Sequence, residues 1–144
     1  MQERFARVRV LHDMAKKAKP GRFTEAELVL MDILWDRGPS TVQMVVEHLP
    51  SERPLAYTTV QTVLNVLHHK GSVRRKLRER AYHYEAAVSR SDAASTALQD
   101  LVRKLFHGSA DEVVLSMVKS RQLSPHKLSE LRKLVEEADG RIRR

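Results

Sequence analysis

The 144-residue chain contains no cysteine. Disulfides, thiolate zinc sites, iron–sulfur clusters and a cysteine nucleophile are thereby excluded. Long apolar runs are also missing, the longest being the four residues Leu28 to Met31. A membrane span needs about 20 apolar residues and a secretory leader about 7–15. Neither is expected, and the expected location is cytoplasmic, without membrane insertion. Glycine is scarce, at 21, 38, 71, 108 and 140, and so is proline, at 20, 39, 50, 54 and 125. Each reads as punctuation between periodic segments rather than inside one. There is no G-x-S-x-G, no H-E-x-x-H and no phosphate-cradling glycine loop, so neither catalysis nor a cofactor is expected.

What the chain does have is positive charge. Its net charge is +8 with a pI near 10.1, which favours an acidic partner such as nucleic acid. Residues 1–22 carry seven basic and two acidic side chains, whereas residues 23–88 carry eight of each. Within that neutral middle, Lys70, Arg74, Arg75, Lys76, Arg78 and Arg80 gather against a lone Glu79, and the stretch Thr24 to Asp36 holds four acids and no base. A ridge of this kind is either a footprint for phosphates or a solvated hairpin face.

The length fits one domain, or two small ones sharing a core. Thr24-x-x-Glu27 is a capping box, and Glu27, Leu30, Met31 and Leu34 follow at helical spacing up to Gly38-Pro39. Ser40-x-x-Gln43 offers a second box, with Val42, Val45, Val46 and Leu49 as its stripe. Val60, Val63, Leu64 and Leu67 stripe a third helix ending at Gly71. There the period becomes two: Val73, Arg75 and Leu77 alternate with Arg74 and Lys76, and Tyr82 and Tyr84 with His83 and Glu85, the pattern of a β-hairpin. Three helices and a basic hairpin make the order of a winged helix-turn-helix, with the third helix in the major groove.

The rest of the chain is helical. Ala94, Ala97, Leu98, Leu101, Val102, Leu105 and Phe106 form one wide stripe. Ser109-x-x-Glu112 opens a short helix, and Ser124-Pro125 opens a last one striped by Leu128, Leu131, Leu134 and Val135. These faces pack either on the first domain or on a second copy; the latter is preferred, because one small domain reads DNA weakly and two-fold pairing is the usual remedy. The expected class is therefore mainly α with a small β wing. Residues 1–22 form a basic extension, 23–88 the winged domain and 89–144 a three-helix dimerisation domain.

Tyr57-Thr58-Thr59-Val60-Gln61-Thr62-Val63-Leu64-Asn65-Val66-Leu67, followed by His69-Lys70-Gly71, resembles the recognition helix of the BlaI/MecI/CopY family of bacterial repressors. Thr24-Glu25-Ala26-Glu27 and Met31-Asp32-Ile33-Leu34-Trp35 resemble its opening helix, and Arg80-Ala81-Tyr82-His83-Tyr84 the end of its wing. The similarity runs from about Phe23 to Arg141. It implies a homodimeric repressor on double-stranded operator DNA, at a palindromic promoter site with TACA/TGTA-like half-sites, paired through its C-terminal helices. It also implies, for penicillinase-type members, release by cleavage that a membrane β-lactam sensor protease triggers. Residues Ser116-Met117 occupy the segment cut in those relatives, which carry Asn-Phe there, so a different protease specificity or signal is expected. The copper-responsive branch senses through cysteines, which this chain lacks.

On either ground the candidate DNA-binding residues are Thr58, Thr59, Gln61, Thr62 and Asn65 on the third helix, and the resembling stretch adds Tyr57. Glutamine can pair bidentately with adenine, and a threonine methyl can touch a thymine methyl. The alternative is a polar solvent face with Thr58 as N-cap. Arg74, Arg75, Arg78 and Arg80 join them for phosphates or the minor groove, and Thr41 at the start of the second helix for a phosphate, where a plain cap is the alternative. The resemblance puts glycine in the wing turn; here the turn reads Arg78-Glu79-Arg80, which predicts a looser tip. The candidate dimer residues are Ala97, Leu98, Leu101, Leu105, Phe106, Leu128, Leu131 and Leu134. His68 and His69 point about 100° apart on a helix, a poor metal pair, and are read as histidines beside the helix C-terminus. A winged protein-interaction module without specific DNA binding is the alternative function.

Overall fold

A computed structural model describes residues 21–143; residues 1–20, most of the basic extension, lie outside the described residues. Among the described residues eight elements follow one another: α1 (Glu25–Arg37), α2 (Val42–Glu47), α3 (Tyr57–His69), β1 (Val73–Arg78), β2 (Ala81–Ala86), α4 (Arg90–Leu105), α5 (Ala110–Lys119) and α6 (Pro125–Arg143). The fold is mainly α, with β1 and β2 as a two-stranded antiparallel wing. Two compact units divide inside α4, between Ala97 and Leu98. The opening of α4 groups with the winged unit because Ala93 is buried there. Arg90 also reaches back to Asp36 at 2.9 Å and Asp32 at 3.5 Å on α1.

In the first unit the capping box closes as its spacing predicts. Glu27 N donates to Thr24 Oγ1 at 3.2 Å and Thr24 N to Glu27 Oε1 at 2.9 Å. Leu30, Met31 and Leu34 of α1, Val45 of α2, and Val60, Leu64 and Leu67 of α3 form the core, and Val73 and Tyr84 of the wing seal it. Leu30 and Leu34, Met31 and Leu34, Val60 and Leu64, and Leu64 and Leu67 are at i+3 or i+4 steps, so one stripe of each long helix enters a common interior.

The second capping box does not form. Ser40 is extended and pairs with β2 instead, donating its N–H to Tyr84 O at 2.9 Å and accepting from Tyr84 N at 2.8 Å. The cap therefore falls to Thr41, whose Oγ1 accepts from Met44 N at 3.2 Å. Gln43 donates forward to Glu47 at 3.1 Å, and α2 stops short of Leu49.

One charged residue of the presumed basic ridge is not on the surface at all. Lys70, just past α3, is buried, with Nζ 2.9 Å from Glu27 Oε2 and 4.9 Å from the Phe23 ring centroid. It also donates to Arg22 O. Glu27 thus caps α1 with one oxygen and neutralises Lys70 with the other, tying the start of α1 to the end of α3.

The wing tip is tight rather than loose. Arg78 pairs with Ala81, leaving a two-residue loop. Glu79 and Arg80 have φ of 49° and 69°, the left-handed pair of a type I′ turn. The right-handed twist of the strands selects this turn even without glycine, at about 1–2 kcal/mol for each side chain held there.

In the second unit, Ser109 Oγ accepts from Glu112 N at 3.2 Å and Ser124 Oγ from Lys127 N at 3.0 Å, starting α5 and α6. Gly140 lies inside α6, not between elements, so its expected role as punctuation fails. Among the described residues from Leu98 onward, none is buried.

Candidate nucleic-acid interface

Helix α3 turns Val60, Leu64 and Leu67 into the core. The helical period then places Thr58, Gln61, Thr62 and Asn65, at i, i+3, i+4 and i+7, on another face, with Thr59 beside them. Tyr57, Thr58, Thr59, Gln61 and Thr62 are all exposed. The helix begins with Ala56 as N-cap and has no side-chain cap. Thr58 is therefore not the cap, and its hydroxyl lies in the first helical turn. These are short uncharged donors and acceptors at the open, electropositive end of a helix.

Asn65 is different. It is half-buried, and its Oδ1 lies 3.3 Å from the Tyr84 hydroxyl and 3.4 Å from Arg75 Nη1, accepting from both. The Arg75 guanidinium also sits 4.4 Å above the Tyr82 ring. Asn65, Arg75, Tyr82 and Tyr84 thus join the middle of α3 to the wing. Alternation alone contains the signal for this: Arg75 shares a strand face with Val73, which enters the core.

The other face of the wing carries Arg74, Lys76 and Arg78 on β1, all exposed, and Arg80 is exposed at the turn. Glu85 offsets Arg74 at 3.4 Å. Thr41 is fully accounted for as the cap of a six-residue helix.

His68 lies where α3 meets the wing. Its Nδ1 is buried without a hydrogen-bond partner. Burial, then the neighbouring Arg75 and His69 charges, hold its pKa below the usual histidine value. The helix C-terminus would favour the charged ring; burial outweighs it. Among the described residues no cluster of three or more His, Asp or Glu side chains could hold a metal. None of the helices there is long and apolar enough to cross a membrane.

The sequence profile of the penicillinase repressor family matches residues 23–137. The chain belongs to this family. The methicillin resistance regulatory protein MecI of Mammaliicoccus sciuri is 25% identical over 117 residues, covering 81% of this chain and 95% of its own. The transcriptional regulator BlaI of Mycobacterium tuberculosis is 39% identical over 84 residues, 58% of this chain and 61% of its own. A solved MarR family protein from Bacillus stearothermophilus superposes with a TM-score of 0.42 at 20% identity, over 96% of this chain and 89% of that one. Penicillinase repressors are transcriptional regulators, not enzymes. The resemblance carried by Tyr57 to Gly71 and Arg80 to Tyr84 thus agrees with the family match.

Proposed function

We propose that this penicillinase repressor family member represses transcription by binding a palindromic promoter operator as a homodimer. The observation that carries the reading is the exposed polar row Thr58, Thr59, Gln61 and Thr62 on α3, flanked by the arginines of the wing. Gln61 and the threonines read base edges in the major groove. Arg74, Arg78 and Arg80 meet phosphates and supply affinity without sequence information. Asn65 holds Arg75 and Tyr84 and so positions the wing against the reading helix, while Tyr57 lies at the phosphate-facing end of α3. Residues 1–20 add further cations to the same electrostatic attraction.

The second unit supports the second copy. Leu98, Leu101, Leu105, Leu128, Leu131 and Leu134 are all exposed in one protomer, with Ala97 exposed and Phe106 half-buried beside them. Exposed apolar faces of this kind mark an interaction surface, here one for a second copy. The Ser116–Met117 bond lies within α5, with both residues exposed. A cut there would break α5 and detach α6, weakening the dimer. Ser in place of Asn alters what a protease for Asn-Phe bonds, acting downstream of a membrane sensor, would meet. Release therefore follows another specificity or signal. The mass of the protein from induced cells tests this: intact protein that has left the operator agrees, and a fragment ending at Ser116 does not.

The main test is a gel shift on the chain's own promoter DNA across salt. Gln61→Ala should cost roughly 1–3 kcal/mol on the operator and relax preference at one base pair. Arg78→Ala should weaken operator and random DNA alike and lower the salt slope. Wild-type discrimination by Gln61→Ala would remove it as a base reader. Absence of any salt-dependent binding would favour a protein-interaction module instead.

A further inference from the structure

The two faces of the wing are chemically unlike. One carries Arg74, Lys76 and Arg78. The other continues the core outward: Val73 and Tyr84 are buried, Arg75 bridges to Asn65 of α3, and the last pair on this face before the turn is Leu77 opposite Tyr82. That pair has left the core behind. Leu77 is 65% exposed and Tyr82 45% exposed. An aliphatic–aromatic cross-strand pair steadies a hairpin, but steadying it needs neither an exposed leucine nor a hairpin whose other face carries Arg74, Lys76 and Arg78.

The setting identifies the occupant. A hairpin with Arg74, Lys76 and Arg78 on one face, Arg80 at its turn and an exposed apolar pair on the other face repels a basic surface and fits a polyanion that also presents apolar area. Duplex DNA is such a surface: phosphates lie along both rims of the minor groove, and the deoxyribose carbons form its walls. The direction also fits. The strand face that reaches α3 through Arg75 and Tyr84 is the one bearing Leu77 and Tyr82. A duplex laid along the exposed row of α3 is therefore flanked by this face. We propose that Leu77 and Tyr82 form an apolar wedge that packs on deoxyribose at the minor-groove edge, and so add affinity that salt does not screen. The wedge rests on the reading of α3 and the wing as a duplex-binding surface.

Salt separates this contact from those of the arginines. Counterion release makes a phosphate contact decay with salt, whereas burial of apolar area does not. The full chain, with Leu77→Ala and Tyr82→Ala as separate variants, is titrated on a fluorescein-labelled duplex of its own promoter over a range of salt. Each variant should bind roughly 5- to 30-fold more weakly at every salt, with the slope of log K against log salt unchanged. Arg78→Ala in the same assay should lower the slope by about one phosphate contact. Both side chains are exposed, and an unchanged melting temperature checks that the wing is intact. Tyr82→Leu keeps apolar area but removes the ring under Arg75, and it should bind better than Tyr82→Ala. Wild-type affinity in both alanine variants, with wild type still binding in a salt-dependent way, overturns the wedge and leaves the DNA reading standing. A loss accompanied by a shallower slope also overturns it, because the residues would then act through the arginines. If wild type binds no duplex, the wedge falls together with the reading beneath it.

Discussion

The winged unit and the helical unit solve the problem of burial in opposite ways. The first closes on itself: three helices and a hairpin place Leu30, Met31, Leu34, Val45, Val60, Leu64 and Leu67 out of solvent. The second has three amphipathic stretches, yet none of its described residues is buried. Both have well-formed caps and helical periodicity. Local structure is therefore encoded equally in the two, and only the tertiary partner differs. For the first unit that partner is within the chain. For the second, the proposed partner is a second copy.

The largest effect should come from breaking the second unit alone. Leu101→Asp combined with Leu131→Asp places two charges on faces that one protomer leaves exposed, and a charge buried in a dimer interface is costly. Sedimentation should show a monomer, and operator affinity should fall by about 10²–10⁴ as the linkage between the two reading heads is lost. The only tryptophan, Trp35, lies in the winged unit, its Nε1 donating to Val88 O at 2.8 Å. Its fluorescence should be unchanged by the two substitutions. A persistent dimer, or a shifted tryptophan spectrum, would break the contrast between the units.

The winged unit has its own weak point. Lys70→Met leaves Glu27 buried without its cation and should cost about 3–5 kcal/mol, read as a lower urea midpoint of Trp35 fluorescence. Pairing it with Glu27→Gln should recover much of the loss, since no uncompensated charge then remains. This pair shows where sequence reading stops. The Thr24 box, the core stripes of α1 and α3 and the alternation of the wing are local and were legible. The Glu27–Lys70 contact spans 43 positions, so nothing near Lys70 in the chain distinguishes it from Arg74 or Arg78. Ser40 failed as a cap for the same reason: its backbone is claimed by Tyr84, far along the chain. Arg75 is an intermediate case, because its strand parity was visible while its partner Asn65 was not. Gln61 and Thr62 were legible because the helical period alone turns them outward.

A smaller effect sharpens the contrast at the wing. Glu79→Asn with Arg80→Gly supplies the residues that a type I′ turn prefers and should stabilise the winged unit by about 1 kcal/mol. The Trp35 midpoint should rise while the concentration-dependent part of the helical CD transition stays where it was. Operator affinity should fall despite the gain, because Arg80 is gone. A lower midpoint would mean that the tip does not hold the left-handed pair.

The smallest effect concerns protons at the joint between α3 and the wing. The folded pKa of His68 is depressed, chiefly by burial and then by Arg75 and His69, so the fold prefers the neutral ring. In the unfolded chain the ring titrates near 6.5. The resulting contribution is fully present above that value and is lost as pH falls from about 6.5 toward the lower folded pKa, because the unfolded state takes up the proton first. Acidification from pH 7.5 to 5.5 should therefore lower the Trp35 urea midpoint, and His68→Gln, which cannot titrate, should reduce that drop. The proposed dimer residues Leu101, Leu105, Leu128, Leu131 and Leu134 do not titrate. The sedimentation equilibrium should then be less sensitive to this pH step than the winged unit's stability. An equal pH dependence in His68→Gln and wild type would place the proton-sensitive group elsewhere.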